Sequence, residues 1–216
     1  MKWLAKLIDY SLLKADATEQ QIRDLCISAK KYKVNSVCIN PCQVRLAKKI
    51  LAKSKIRISC VVGYPLGANL AETKVFEAKK AIKDGADELD IVMNIGEFKS
   101  KKYDFVLSEL RKIIGSAKKL EKNVRTKVII ETGFLANDEI RKASILVLKS
   151  GADFVKTGTG WSKGATVEDV RLIKSAVNGK IKIKAAGGIK TREQAEALIK
   201  AGASVIGASD VKDILK

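Results

Sequence analysis

The 216-residue chain contains no histidine. That absence removes Ser-His-Asp and Cys-His catalysis, imidazole general bases and histidine-based zinc sites. Any chemistry must run on Lys, Asp, Glu, Cys, Tyr, Ser or Thr. Cysteine is sparse too. Cys26, Cys38, Cys42 and Cys60 lack the density of a disulfide scaffold, so free thiols in a cytoplasmic protein are the simpler account. Cys38 and Cys42 have neither a histidine nor a second cysteine pair to make a metal site with. There is no run of about 18 apolar residues, so no membrane span is expected. Asp9 falls early in an N-terminus without a long apolar stretch, so no signal peptide is expected either. Acidic residues are also few, 24 against 42 Lys and Arg, for a formal net charge of +18. Such an excess suits nucleic acid or anionic substrates. Yet the lysines are spread along predicted helices, as at Lys30, Lys31 and Lys33, Lys79 and Lys80, or Lys118 and Lys119. No Arg-rich tail, Cys2His2 pattern or helix-turn-helix signal accompanies them. The expected result is a solvated basic surface with no nucleic-acid partner, steering a phosphorylated substrate as a secondary consequence.

What is present is alternation. Short apolar or β-branched runs predict strands at 7–10, 35–39, 56–62, 88–93, 126–131, 153–157, 181–186 and 204–208. Helical patterns lie between them, at 18–31, 41–53, 71–83, 102–120, 136–149, 166–177, 191–200 and 210–215. In helix 71–83, Ala71, Val75, Ala78 and Ile82 form one stripe, with Lys74, Glu77 and Lys80 mostly off it. Eight strands alternating with helices is the count of a closed (β/α)8 TIM barrel of the α/β class, a single domain over 1–216. An open doubly wound sheet competes, but a nucleotide-binding version needs a glycine-rich phosphate motif after an early strand, and none appears there. The phrase Gly-Ala recurs at Gly85, Gly151 and Gly202. Each glycine can stop a helix with positive φ and lead into a strand, so three strand starts are marked.

Strand parity then sorts side chains. In 88–93, Leu89, Ile91 and Met93 form the outer face, which leaves Asp90 pointing inward with Glu88 and Val92. The same reasoning turns Asp9 and Ser11, Ser36 and Cys38, Phe154 and Lys156, and Lys182 and Lys184 inward. The barrel interior thus collects Asp9, Cys38, Asp90, Lys156 and Lys184. A lysine among apolar strand neighbours is costly to bury without compensation. Two of them on consecutive strands repel if both are charged, which is a route to a neutral, nucleophilic amine at pH 7. Such an amine attacks a carbonyl to form a Schiff base. Spacing does not fix which lysine does so. Lys156 is favoured because Thr157, Gly158, Thr159 and Gly160 follow it, offering hydroxyls and close backbone approach. Asp90 then shuttles protons or orients an ammonium.

The glycines of Ala185–Arg192 follow strand seven, and Ile206-Gly-Ala-Ser209 closes strand eight and leads into the short last helix. Many barrels bind phosphate at that position. Trp161 and Lys163, in the loop after strand six, either line the pocket or cover it. Cys38 reads as a buried small residue or a mouth-facing thiol.

These residues carry a resemblance. The phrases Ile8-Asp9 with Leu12-Leu13-Lys14, Val37-Cys-Ile-Asn-Pro41, Glu88-Leu-Asp-Ile-Val-Met-Asn-Ile-Gly96, Val128-Ile-Ile-Glu-Thr-Gly133, Phe154-Val-Lys-Thr-Gly-Thr-Gly160, Lys184-Ala-Ala-Gly-Gly-Ile189 and Ile206-Gly-Ala-Ser209 span nearly the whole chain in one order. The chain resembles the deoxyribose-phosphate aldolase family of class I, Schiff-base aldolases. The resemblance implies reversible cleavage of 2-deoxy-D-ribose 5-phosphate to D-glyceraldehyde 3-phosphate and acetaldehyde, without metal or organic cofactor, in a homodimer or homotetramer. It implies that Lys156 forms the Schiff base, Lys184 perturbs it and transfers protons, and Asp90 relays protons. Asp9, Cys38, Thr157 and Thr159 would then lie near the substrate, and Gly160, Gly187, Gly188, Gly207 and Ser209 would hold the phosphate. Some positions depart from the family pattern: Tyr10 and Ser11 stand where His-Thr is common, Gly158 and Ala186 replace frequent serines, and Asp210 stands where a second serine usually follows Ser209. Asp210 either faces the phosphate and weakens its binding or caps the last helix. Two other classes remain alternatives: another phosphosugar-binding barrel enzyme, and a basic nucleic-acid-binding protein supported only by the charge.

Overall fold

The helix-stopping glycines act as expected. Gly85, Gly151 and Gly202 end their helices at φ of 111°, 82° and 128°, and β-strands begin within three residues of each, at Glu88, Phe154 and Val205. The computed structural model describes residues 2–216, apart from the side chain of Lys2. The strands are β1 Ile8–Leu12, β2 Ser36–Ile39, β3 Arg57–Val62, β4 Glu88–Val92, β5 Arg125–Ile129, β6 Phe154–Lys156, β7 Lys182–Ala186 and β8 Val205–Ala208. They pair in chain order, all parallel, and β8 closes on β1. The helices are α1 Lys2–Ala5, α2 Glu19–Tyr32, α3 Val44–Leu51, α4 Ala71–Asp84, α5 Ile95–Lys99, α6 Tyr103–Leu120, α7 Asn137–Ser150, α8 Val167–Val177 and α9 Arg192–Ala201. This is the (β/α)8 barrel.

Threonine caps set several helix starts. Thr18, Thr166 and Thr191 each accept from the backbone three residues on, and Gln21, Asp169 and Gln194 return the bond. Such boxes satisfy amides that the first turn leaves free. The apolar core lies between barrel and helices, as with Leu89 and Ile91 of β4 against Val106, Leu110 and Ile113 of α6.

Besides two short unexpected elements, α1 and a 3₁₀ turn at Thr132–Phe134, four features differ from expectation. No helix forms over 210–215: the segment is a turn with two i→i−4 backbone bonds, Leu215 to Val211 and Lys216 to Lys212, anchored by buried Val211 and Ile214. Helix 41–53 divides into a 3₁₀ turn, Pro41–Gln43, with proline at its first position, and α3. Helix α5 arises after β4, where Asn94 accepts from the Glu97 amide at 3.1 Å and caps it. In α4 the fully buried residues are Lys74, Ala78 and Ala81. Lys74 is drawn inward by Glu109 of α6 at 3.1 Å and the Val92 carbonyl at 3.1 Å, a partnership that the periodicity of α4 does not contain.

Candidate active site

The register sets the inward side chains level with one another. Lys156 pairs with Lys184 across β6 and β7, and Asp90 pairs with Lys127 across β4 and β5. Asp9 lies opposite Ser36 and Gly207. Gly207 is needed there, because a Cβ would meet Ala186 Cβ at 2.8 Å and Lys184 Cε at 3.3 Å.

Asp90 is the hub, and it is completely buried. Its Oδ2 accepts from Lys156 Nζ and from Lys184 Nζ, each at 2.7 Å. Its Oδ1 accepts from Ser59 Oγ at 2.8 Å and Lys127 Nζ at 2.9 Å. Asp9 flanks it: Oδ1 accepts from Ser36 Oγ at 2.5 Å and Asn35 Nδ2 at 2.7 Å, and Oδ2 lies 2.7 Å from Lys184 Nζ. Below, Glu88 meets Lys127 at 2.5 Å and Arg57 at 2.5 Å. Three buried lysines therefore face three buried carboxylates.

Burial works against every charge in this cage, and the partners outweigh it. A contact near 3 Å is worth on the order of 5 kcal/mol at an effective dielectric of about 20, and Asp90 has three such partners. Burial would raise the Asp90 carboxyl, but Lys127, Lys156 and Lys184 together hold it well below the usual carboxylate range. Asp9 is likewise lowered against burial, by Lys184 and Lys127. Burial would lower Lys184, but Asp9 and Asp90 hold its ammonium well above the usual lysine range. Lys127 is raised against burial chiefly by Asp90. Repulsion between lysines is thus not the leading influence on Lys184, contrary to the expectation for two adjacent lysines, because Asp90 sits between them.

The three lysines are not equivalent. Lys127 contacts Asp9, Glu88 and Asp90, and Lys184 contacts Asp9 and Asp90. Among the described residues, the only ion pair of Lys156 is with Asp90. Lys156 and Lys184 line the cavity at the barrel mouth, whereas Lys127 lies beneath it.

That cavity measures about 720 Å³. Cys38, Thr159, Gly160, Gly187, Gly188, Gly207 and Ser209 reach it, as their positions after the strands lead one to expect. Asp9, Asp90 and Thr157 do not line it. The Thr157 hydroxyl bridges the backbone of Ala186, donating to its carbonyl and accepting from its amide, both at 3.0 Å. Its geometry is that of a β6–β7 clamp and not of a substrate contact. Burial first, then Asp90, raises the Cys38 thiol, which lies 3.7 Å from Asp90 Oδ2. Trp161 lines the cavity while remaining 71% exposed. Lys163 turns away and pairs with Asp169 at 3.1 Å. Asp210 also faces away from the cavity and accepts from the Lys212 amide at 2.9 Å. It is a cap, though of a turn and not of a helix.

Several contributors have no role in the motif reading. Lys127 and Ser59 complete the cage, and strand parity applied to 126–131 opposite Asp90 would have found the lysine. Lys14 and Lys190 bring cations to the rim. Tyr64 donates from its hydroxyl to the Thr159 carbonyl at 3.1 Å and joins the β3 loop to the β6 loop. Burial pushes its hydroxyl up to about 12. Glu131, at φ 54°, accepts from the Thr159 amide at 3.0 Å and from Ser162 Oγ at 2.5 Å, which anchors the loop that follows Lys156.

The chain as a whole has counterparts among known proteins. Residues 4–214 match the model of the DeoC/LacD family aldolases. A deoxyribose-phosphate aldolase of a Thermoanaerobacter species is 49% identical over 207 residues, covering 95% of this chain and 92% of the relative. One from Thermococcus gammatolerans is 49% identical over 209 residues, covering 95% and 92%. Among solved structures, the aldolase QR15 superposes with a TM-score of 0.93 at 44% identity, covering 100% of this chain and 95% of the other. A tetrameric deoxyribose phosphate aldolase from Aeropyrum pernix gives 0.92 at 30% identity, covering 99% and 90%. With matches of this extent over a barrel of this construction, the chain belongs to the DeoC/LacD family of aldolases.

Proposed function

We propose that the protein is a deoxyribose-phosphate aldolase, a single domain over 1–216 that reversibly cleaves 2-deoxy-D-ribose 5-phosphate to D-glyceraldehyde 3-phosphate and acetaldehyde. The observation that carries this reading is Lys156 itself: at the cavity floor, with one carboxylate partner where its neighbours have two or three. It is the lysine with the fewest carboxylate partners, and its amine opens on the cavity where a carbonyl carbon would sit. Its 2.7 Å contact with Asp90 is the path for the amine's proton. A carboxylate held so low is a weak base, so the proton passes on and does not rest there.

Neutral Lys156 attacks C1 of the open-chain sugar. Loss of water leaves a protonated imine. Removal of the C3 hydroxyl proton breaks the C2–C3 bond, whose electrons flow into the imine. Glyceraldehyde 3-phosphate departs and an enamine remains on Lys156. Protonation at carbon and hydrolysis then release acetaldehyde. Lys184 stays charged, keeps Asp90 ionised and stabilises developing negative charge. Cys38 and Thr159 border the sugar, and Asp9 fixes Lys184 from below. Gly160, Gly187, Gly188, Gly207 and Ser209 offer backbone and hydroxyl donors to the phosphate, with Lys14 and Lys190 adding charge at the rim.

The tetrameric Aeropyrum relative supports a homodimer or homotetramer, which sedimentation would measure, and the four free cysteines support a cytoplasmic setting. A panel of phosphosugars tests the reaction. Release of glyceraldehyde 3-phosphate from 2-deoxyribose 5-phosphate, with much poorer cleavage of unphosphorylated 2-deoxyribose, is expected. Turnover of a different phosphosugar and none of this one would overturn the assignment.

A further inference from the structure

The end of the barrel away from the mouth holds a second cavity, of about 620 Å³. It forms where the chain enters β1, β2 and β3 and where α2 and α3 end. Six cationic side chains line it: Lys6, Lys30, Lys33, Lys53, Lys55 and Arg57. Among the described residues no carboxylate does.

Two of the six are engaged. Lys30 Nζ donates to the Ile50 carbonyl. Arg57 is fixed at the inner wall by Glu88 at 2.5 Å and by the Asn35 side chain, and its side chain remains 32% exposed. Lys6, Lys33, Lys53 and Lys55 enter no ion pair among the described residues. Helix C-termini favour a cation in their last turn, which accounts for Lys30 and Lys31 in α2 and Lys48 and Lys49 in α3. It does not account for Lys6, Lys53 and Lys55, which lie in the connections. Lys33 stands out further. It caps α2 at φ 55°, whereas the left-handed caps of α4, α7 and α8 are Gly85, Gly151 and Asn178. A lysine there carries strain that glycine avoids.

Like charges gathered in a concavity without counter-charge create a positive potential that a bound anion relieves. We propose that this pocket binds a small polyphosphate anion. Its volume falls in the range of about 300–1,000 Å³ typical of small-ligand sites. Exposed lysines around one fixed guanidinium suit several phosphate oxygens at once. Among the described residues its lining includes no aromatic ring, so the stacking platform of a single-stranded nucleic-acid site is missing there. It shares no residue with the mouth, so its occupancy is independent of the aldolase reading.

Calorimetric titration of the full chain with inorganic triphosphate tests this. One triphosphate per chain is expected to bind the unaltered protein. The triple variant K33Q/K53Q/K55Q should bind it roughly ten- to a hundredfold more weakly, the loss of three screened ion pairs, with aldolase activity unchanged as the check on folding. Lys6→Gln alone should weaken binding by a smaller factor and serves if the triple variant does not fold. No binding to the unaltered protein, or equal affinity in the variants, would overturn the proposal. So would tight binding of single-stranded RNA that triphosphate does not displace.

Discussion

The two ends of the barrel handle lysine in opposite ways. Toward the mouth, Lys127, Lys156 and Lys184 are buried, and each is tied to at least one of Asp9, Glu88 and Asp90. At the far end, Lys6, Lys33, Lys53 and Lys55 are exposed, and no carboxylate among the described residues shares their cavity. The same side chain is therefore a member of a neutral network in one place and of an uncompensated field in the other. The difference teaches where charge is structural. Inside the cage, removing one partner strands another in a dry interior, whereas at the far end water takes its place.

The largest expected effect comes from the lysine that belongs least to the network. Lys156→Ala should lower kcat by on the order of 10⁴-fold or more, with the circular dichroism of the folded barrel kept, since Asp90 retains Lys127 and Lys184. Next, Asp90→Asn leaves three ammoniums facing two carboxylates. It should reduce unfolding free energy by about 3–5 kcal/mol and activity by roughly 10²–10⁴-fold. Urea denaturation and steady-state assays measure the two losses separately. Equal stability in this variant would show that the cage is not the unit described.

The cage also sets a pH window. Asp9 and Asp90 are held below their unfolded value of 3.8. Their contribution is complete above that value and is lost as pH falls below it toward their folded values. Lys127 and Lys184 are held above their unfolded value of 10.5. Their contribution is complete below that value and is lost as pH rises above it. The cage's share of the denaturation midpoint should stay level between these limits and fall outside them, and Asp9→Asn should flatten the acid side. A smaller effect is expected at the loop joint. Tyr64→Phe removes one hydrogen bond, worth about 1 kcal/mol, and should change kcat/KM by roughly tenfold or less. The smallest belongs to the far end: Lys55→Gln should leave both the denaturation midpoint and the aldolase rate where they are.

Much of the barrel is legible because its signals are local. Glycine stops and apolar runs each act within a few residues, so strand order and most boundaries can be read. Asp90, Lys156 and Lys184 are legible for the same reason: parity within one strand turns them inward. What escapes depends on partners far along the chain. Lys127 looks like any strand lysine until β5 is set in register against Asp90. Lys74 looks solvated until Glu109 arrives from α6. Thr157 seems available to a substrate until Ala186 of β7 takes its hydroxyl. The 210–215 segment carries a helical pattern, but only two i→i−4 bonds form, too few for a stable nucleus.

Lys156 as the bond-forming amine is the central claim, and trapping tests it most directly. The protein is incubated with acetaldehyde, reduced with borohydride, digested and mapped by mass spectrometry. An ethyl adduct on Lys156, with Lys127 and Lys184 unmodified, is the predicted result. An adduct on Lys184 instead, or none on folded protein, would contradict it.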